Sequence, residues 1–203
     1  MIIKLSPVRS DLCLVVARSA DILEVNGVEF DFTRLPDGAT LPAEAVDCEF
    51  VIAPVERISG GLVLTLMLPH GADASEQSRF PADIVSPANG RVPLPTDRDP
   101  QPDAPPNWPA AVGAIDWSQM VTAEMKQEAA AAQHLAGVQA VIAAQRAAAD
   151  SAIAPLQDAF DLDDATEAEA TALKAWKKYR VALNRLPEQP GYPAKVDWPA
   201  PPA

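Results

Sequence analysis

Six side chains close together in the last thirty or so residues have the types and spacing for molecular recognition: Trp176, Tyr179, Arg180, Leu183, Tyr192 and Trp198. Trp, Tyr and Arg dominate the hot spots of protein interfaces, because each joins a large apolar area to a polar tip. The chain as a whole is only 5% aromatic, so their concentration here carries information. Residue chemistry supports two readings. In one, Trp176, Tyr179 and Leu183 pack beneath Tyr192 and Trp198 as the chain folds back on a helix. In the other the block meets a partner. The two are compatible.

Groups for catalysis or metal binding do not assemble. His70 and His134 lie far apart, and neither has a Cys, His or Glu at ligand spacing, so a zinc site is not expected. Gly-x-Ser-x-Gly, Walker and dinucleotide-binding patterns are absent. Asp161-Leu-Asp163-Asp164 resembles the opening of a calcium loop. Thr166 stands where that loop needs glycine, however, and Ala172 where it needs a bidentate glutamate. These acids read instead as residues at a helix start. The expectation is a protein without enzymatic activity, metal or cofactor.

Charge and cysteine usage bound the partners. A formal net charge of −12 disfavours nucleic acid, whose phosphates need clustered Lys and Arg. The local exception is Lys174, Lys177, Lys178, Arg180 and Arg185, crowded on one helix. They read as a solvated polar face or as the counterpart of an acidic surface, on a partner or on this chain's own N-terminal part. Cys13 and Cys48 sit in strand-like contexts and suit small buried hydrophobes. No signal peptide is evident, and no run reaches the roughly 18 apolar residues of a membrane span. A soluble protein of the reducing cytoplasm, with free thiols and no membrane contact, is expected.

The elements that must position the block follow from periodicity, which predicts an α+β chain. Residues 1–94 read as an antiparallel β domain, a small sandwich or a partly open barrel. Val28, Phe30 and Phe32 alternate with Glu29 and Asp31, and Asn26-Gly27 has the chemistry of a type I′ hairpin turn. A second hairpin is predicted from Phe50 to Leu68 around Ser59-Gly60-Gly61, with Pro54 at an edge or bulge. Leu12–Arg18 and Ile2–Leu5 are further strands. Residues 95–118 form a proline-rich linker, 119–186 a helical region and 187–203 a proline and aromatic tail.

Within the helical region, Gln119–Asp150 is alanine-dominated, a helix by propensity with a thin apolar face. Such a helix gains most from a close helical neighbour, another segment or a copy of itself in a homo-oligomer. Pro155 is expected to end or kink it near Ile153–Ala154. Thr166 and Glu169 have the spacing of a capping box for a last helix. Acids at its start and bases in its later turns match the helix dipole. Leu173, Trp176, Arg180, Leu183 and Leu186 stripe one face, and Pro187 and Pro190 end it.

Trp176-x-x-Tyr-Arg180, Leu183-Asn-Arg, Glu188-Gln-Pro-Gly-Tyr-Pro193, Val196-Asp-Trp-Pro199 and the closing prolines resemble the C-terminal signature of bacteriophage tail fibre assembly proteins, or tail assembly chaperones. The resemblance covers residues 170–202. Phe30-Asp-Phe32, Leu35-Pro-Asp-Gly-Ala-Thr-Leu41 and Leu66-Met-Leu-Pro-His-Gly71 are similar to segments of prophage proteins that carry such a tail. The resemblance implies a prophage or phage chaperone that binds a tail fibre or tail protein and assists its folding and oligomerisation. It implies action in the host bacterial cytoplasm during assembly. An alternative role is a structural component of the virion tail.

Overall fold

Apolar and polar residues alternate most cleanly along Gly61-Leu-Val-Leu-Thr-Leu-Met-Leu, and this stretch lies in the longest strand. Leu62, Leu64, Leu66 and Leu68 point into the core, while Val63, Thr65 and Met67 stay half-buried. A computed structural model describes residues 1–97 and 111–202, which divide into two units, Met1–Lys126 and Gln127–Ala203.

The first unit contains β1 (Ile2–Arg9), β2 (Val16–Ser19), β3 (Ile22–Val25), β4 (Val28–Asp31), β5 (Thr40–Leu41), β6 (Val55–Ile58), β7 (Gly61–His70), a one-turn helix α1 (Glu76–Arg79), β8 (Ile84–Val85), β9 (Gly90–Arg91) and β10 (Ala111–Val112). They form two sheets, ordered β5-β6-β7-β1-β8 and β10-β4-β3-β2-β9. Their inner faces share one hydrophobic cluster that includes Ile3, Val16, Leu23, Phe30, Phe32 and Leu66.

Both predicted hairpin turns are present. Asn26 and Gly27 have φ of 50° and 82°, the two positive angles of a type I′ turn, and Ser59 and Gly60 repeat the pattern at 50° and 77°. The sheets are nevertheless mixed rather than wholly antiparallel. β1 runs parallel to β7 from Ile2↔Val63 to Arg9↔His70, and β10 runs parallel to β4. The short N-terminal strand expected at Ile2–Leu5 is therefore longer, because a ten-residue neighbour offers it a complete ladder. Two other expectations are corrected. Only Val55–Ile58 of the first arm of the second hairpin is strand. Cys13 is exposed, in the loop before β2. Cys48 is half-buried, and burial raises its thiol pKa.

A buried arginine ties the two sheets together. Arg57 on β6 donates through Nε to Leu35 O (2.5 Å), through Nη1 to Gly60 O (3.1 Å) and through Nη2 to Phe32 O (3.0 Å) and Asp21 Oδ2 (2.9 Å). All of its nitrogens are engaged, as a cation removed from water requires.

This unit also runs past Leu94, where the change of composition predicts its end. Residues 98–110 of the expected linker lie outside the described residues. From Ala111 the chain is again part of a sheet, with Ala111 N–H donating to Gly27 O and Gly113 N–H to Glu29 O. Gly113 is required by contact: a Cβ there would lie 2.1 Å from the Phe30 ring. Trp117 then sits 5.1 Å from the Arg34 guanidinium, and Thr40 and Val121 exchange two backbone hydrogen bonds of 2.9 Å. The expected linker therefore does not run unbroken to residue 118, because Ala111, Val112 and Ile115 have ladder partners.

The second unit is a helical hairpin with a returning tail. Helix α2 (Ala123–Asp161) continues through Pro155 instead of ending before it. A proline inside a helix removes one hydrogen bond and costs about 3 kcal/mol. Burial of Ala149 and Ile153 just before it gives tertiary packing that offsets this cost. The helix ends where a Schellman motif closes it: Asp163 adopts φ 58°, Asp164 N–H donates to Ala159 O (3.0 Å) and Asp163 N–H to Phe160 O (3.2 Å). The acids that resemble a calcium loop thus terminate one helix and precede the next. Helix α3 (Glu167–Asn184) starts on the predicted capping box, with Thr166 Oγ1 accepting from Glu169 N–H and Glu169 Oε2 accepting from Thr166 N–H.

Candidate functional site

The aromatic block is assembled on α3, on the part of α2 that faces it, and on the tail. Tyr179, Leu183 and Leu186 are buried with Ile142 and Ala149 of α2, and Trp176, Tyr192, Val138 and Val196 pack around them. Trp176 meets Tyr179 edge-on, with ring centroids 5.8 Å apart and planes at 80°, an arrangement favoured by the ring quadrupoles. The Tyr179 hydroxyl donates to Gln145 Oε1 at 3.1 Å, so its polar tip is satisfied by α2. Beside it, Arg180 Nη1 donates to Asp150 Oδ1 at 2.7 Å.

The tail is held by polar clamps. After a single 3₁₀ turn (Leu186–Glu188), the Gln189 side chain donates to Asp197 O (3.0 Å) and accepts from Asp197 N–H (2.9 Å). That pair closes a loop containing Tyr192 and a cis Tyr192–Pro193 bond. The Pro193 carbonyl oxygen lies 3.0 Å from His134 Nε2 on α2; a carbonyl accepts, so the ring proton resides on Nε2 in this contact.

Of the six residues expected to serve recognition, Tyr179, Leu183, Trp176 and Tyr192 come together in one cluster. Arg180 pairs with α2 beside it. Trp198 lies outside the cluster and is 38% exposed. Sequence reasoning assigns no tertiary contact to His134, Gln145 and Asp150 on α2, or to Gln189 in the tail. A signal for the first two exists: His134, Val138, Ile142, Gln145, Ala149 and Ile153 recur at spacings of four and three, the mark of one helix face.

The other chemical clusters are structural in geometry. Ser78 Oγ lies 2.8 Å from both Asp97 Oδ2 and Pro95 O, which share its single proton, while His70 Nδ1 faces Gly71 O rather than either partner. Hydrogen bonds from the Ser75 side chain and backbone hold the Asp97 carboxyl below the usual carboxylate range. Serine, aspartate and histidine are near one another here without a proton path from Ser to His. Among the described residues no group of three or more His, Cys, Asp or Glu could hold a metal ion. Among them also, no helix is long and apolar enough to cross a membrane.

Comparison with known proteins matches residues 102–203 to a family described as "Caudovirales tail fibre assembly protein, lambda gpK". The chain is 56% identical over 48 residues to the prophage tail fiber assembly protein homolog TfaR of Escherichia coli (strain K12), which is 24% of each chain. It is 54% identical over 50 residues to the tail fiber assembly protein of Escherichia phage lambda, 25% of each. A probable tail fiber assembly protein of Shigella phage SfV is 46% identical over 56 residues, 28% of this chain and 30% of that one. These alignments therefore span about a quarter of the first relatives' length. No solved structure matches the chain significantly.

Proposed function

The chain belongs to the family of Caudovirales tail fibre assembly proteins, and from that premise we propose that it is a non-enzymatic chaperone that binds a phage tail fibre protein and assists its folding and trimerisation. Fibre chains are rich in β structure and expose strand edges and apolar surface until they trimerise, which makes them prone to aggregation. A protein that covers such surface in the host cytoplasm would raise the yield of native fibre without consuming a cofactor. The observation that carries this reading is coincidence: the family match, residues 102–203, contains the whole unit in which the aromatic block is assembled.

Partner binding is assigned to the composite surface of Trp176, Arg180, Tyr192 and Trp198, with Tyr179 and Leu183 beneath it as support. Trp198 is the informative position, because its ring is exposed and outside the hydrophobic cluster. In co-expression with the cognate fibre gene, Trp198→Ala should lower the yield of soluble fibre trimer severalfold while the chaperone keeps its own melting temperature. The loss corresponds to about 2 kcal/mol if Trp198 is a hot spot. Arg180→Lys should give a smaller loss, since lysine cannot reproduce a planar bidentate contact. Unchanged fibre yield with Trp198→Ala and Arg180→Lys combined would sink the assignment.

A further inference from the structure

On the side of α3 away from Tyr179 lies an open groove of about 840 Å³. Leu173, Val181 and Ala182 line its apolar floor and Phe160 closes one end. Two of the large apolar side chains that line it are exposed, Phe160 at 52% and Val181 at 44%, and Leu162, two residues on from Phe160, is 78% exposed. The rim carries Lys174, Lys177, Lys178 and Arg185, none of which forms an ion pair among the described residues. Charge along this surface is polarised. Asp161, Asp163, Asp164 and Glu167 lie at the Phe160 end, and the four cations occupy the later turns. Glu167, Lys174, Lys178, Val181 and Arg185 recur at helical spacing, so acid and bases share one stripe of α3.

We propose that this groove is the seat of a second copy of the same chain, with the two α3 helices antiparallel about a two-fold axis near Leu173. Only the antiparallel arrangement makes the surface self-complementary. Asp164 and Glu167 of one copy lie over Lys178 and Arg185 of the other, and the two-fold repeats the contact. Phe160 and Leu162 of each copy then cover the floor around Val181 of its partner. Ala170, near the axis, lets the helices approach closely. A parallel pairing sets bases against bases. The chain's net charge of −12 also makes a second copy a ready source of acidic groups for an unpaired basic rim. This association does not depend on fibre binding, and Trp198 does not line the groove.

The test is a charge-reversal pair studied on the full chain by sedimentation equilibrium. Wild type should self-associate reversibly, more weakly as salt rises. The basic-end variant Lys178→Glu with Arg185→Glu, and the acidic-end variant Asp164→Lys with Glu167→Lys, should each raise the dimer Kd about tenfold or more. Mixing the two variants should restore association as a heterodimer, which no loss of fold can imitate. Circular dichroism of each variant separates unfolding from lost contact; should one fail to fold, the other and the salt response decide. A monomer at all concentrations, a dimer indifferent to both reversals, or a mixture that stays monomeric would each overturn the proposal. Occupancy of the groove only by an added acidic fibre fragment would transfer it to that partner and overturn the proposal likewise.

Discussion

The two units solve the problem of a core differently. In the first, strands alternate large apolar residues inward, and Ile3, Val16, Leu23, Phe32, Leu41 and Val55 are fully buried. In the second, α2 contributes mostly alanine, and the buried set shrinks to a few large residues such as Ile142, Tyr179, Leu183 and Leu186. Alanine buries little area, so polar contacts supply part of the cohesion, pairing Tyr179 with Gln145, Arg180 with Asp150, Gln189 with Asp197 and His134 with Pro193. The lesson is that much of the aromatic block is used to hold its own unit together, with Tyr179 and Leu183 buried against α2.

Phe30→Ala removes a fully buried ring from the first core and should cost about 4 kcal/mol, and Leu183→Ala should cost about 3 kcal/mol in the second. Urea denaturation of the full chain measures both. The second value depends on how far the thin core collapses into the space left behind. If Leu183→Ala costs less than about 1 kcal/mol, the second unit is held by its polar clamps alone and the contrast between the units is sharper still.

A smaller effect tests the one place where the first unit resembles the second. Arg57 is a polar clamp inside the larger core, and Arg57→Met should cost about 2 kcal/mol, by removing the side-chain donor of the Leu35 and Gly60 carbonyls and one of the two donors, beside Leu35 N–H, of the Phe32 carbonyl. Denaturation of Arg57→Met beside Asp21→Asn apportions the loss. Asp21 is one-third exposed and can be served by water, so its substitution should be felt much less than that of Arg57. Equal losses would mean that the ion pair, and not the carbonyl contacts, is the working part.

How far the sequence can be read differs between the units for the same reason. Period-two alternation and Asn26-Gly27 announce β3 and β4 because local pattern and turn chemistry agree. The parallel partnership of β1 with β7 has no local signature; it is set by burial across many intervening residues. In the second unit the capping box of Thr166 and Glu169 is legible to the residue, since both contacts are local. The passage of α2 through Pro155 is not, because the cost of a proline is local and the packing that outweighs it is tertiary. Tyr179, Arg180 and the tail around Pro193 announce a site by type, but their partners Gln145, Asp150 and His134 are hidden among alanines. A polar residue on an alanine-rich helix looks like solvent-facing decoration until its neighbour is known.

The smallest effect sits at the junction where the second unit's chain reverses. Thr166→Ala removes the hydroxyl that accepts from Glu169 N–H and should destabilise the chain by about 1 kcal/mol. The reciprocal half of the box adds a pH dependence. Hydrogen bonds from the backbone N–H and then the hydroxyl of Thr166 lower the Glu169 pKa, and a carboxylate whose folded pKa lies below its unfolded value binds fewer protons when native. Its contribution is therefore complete above the unfolded value, about pH 4. It is lost as pH falls through the lowered folded value. Glu169→Gln keeps the shape of the box without the charge, so its stability should converge on that of wild type in acid and fall behind it at neutral pH. Urea melts of both proteins across that range measure the difference. A gap that persists undiminished in acid would assign the cap to shape alone, and Arg180 with Asp150 would remain as the second unit's ion pair among the described residues.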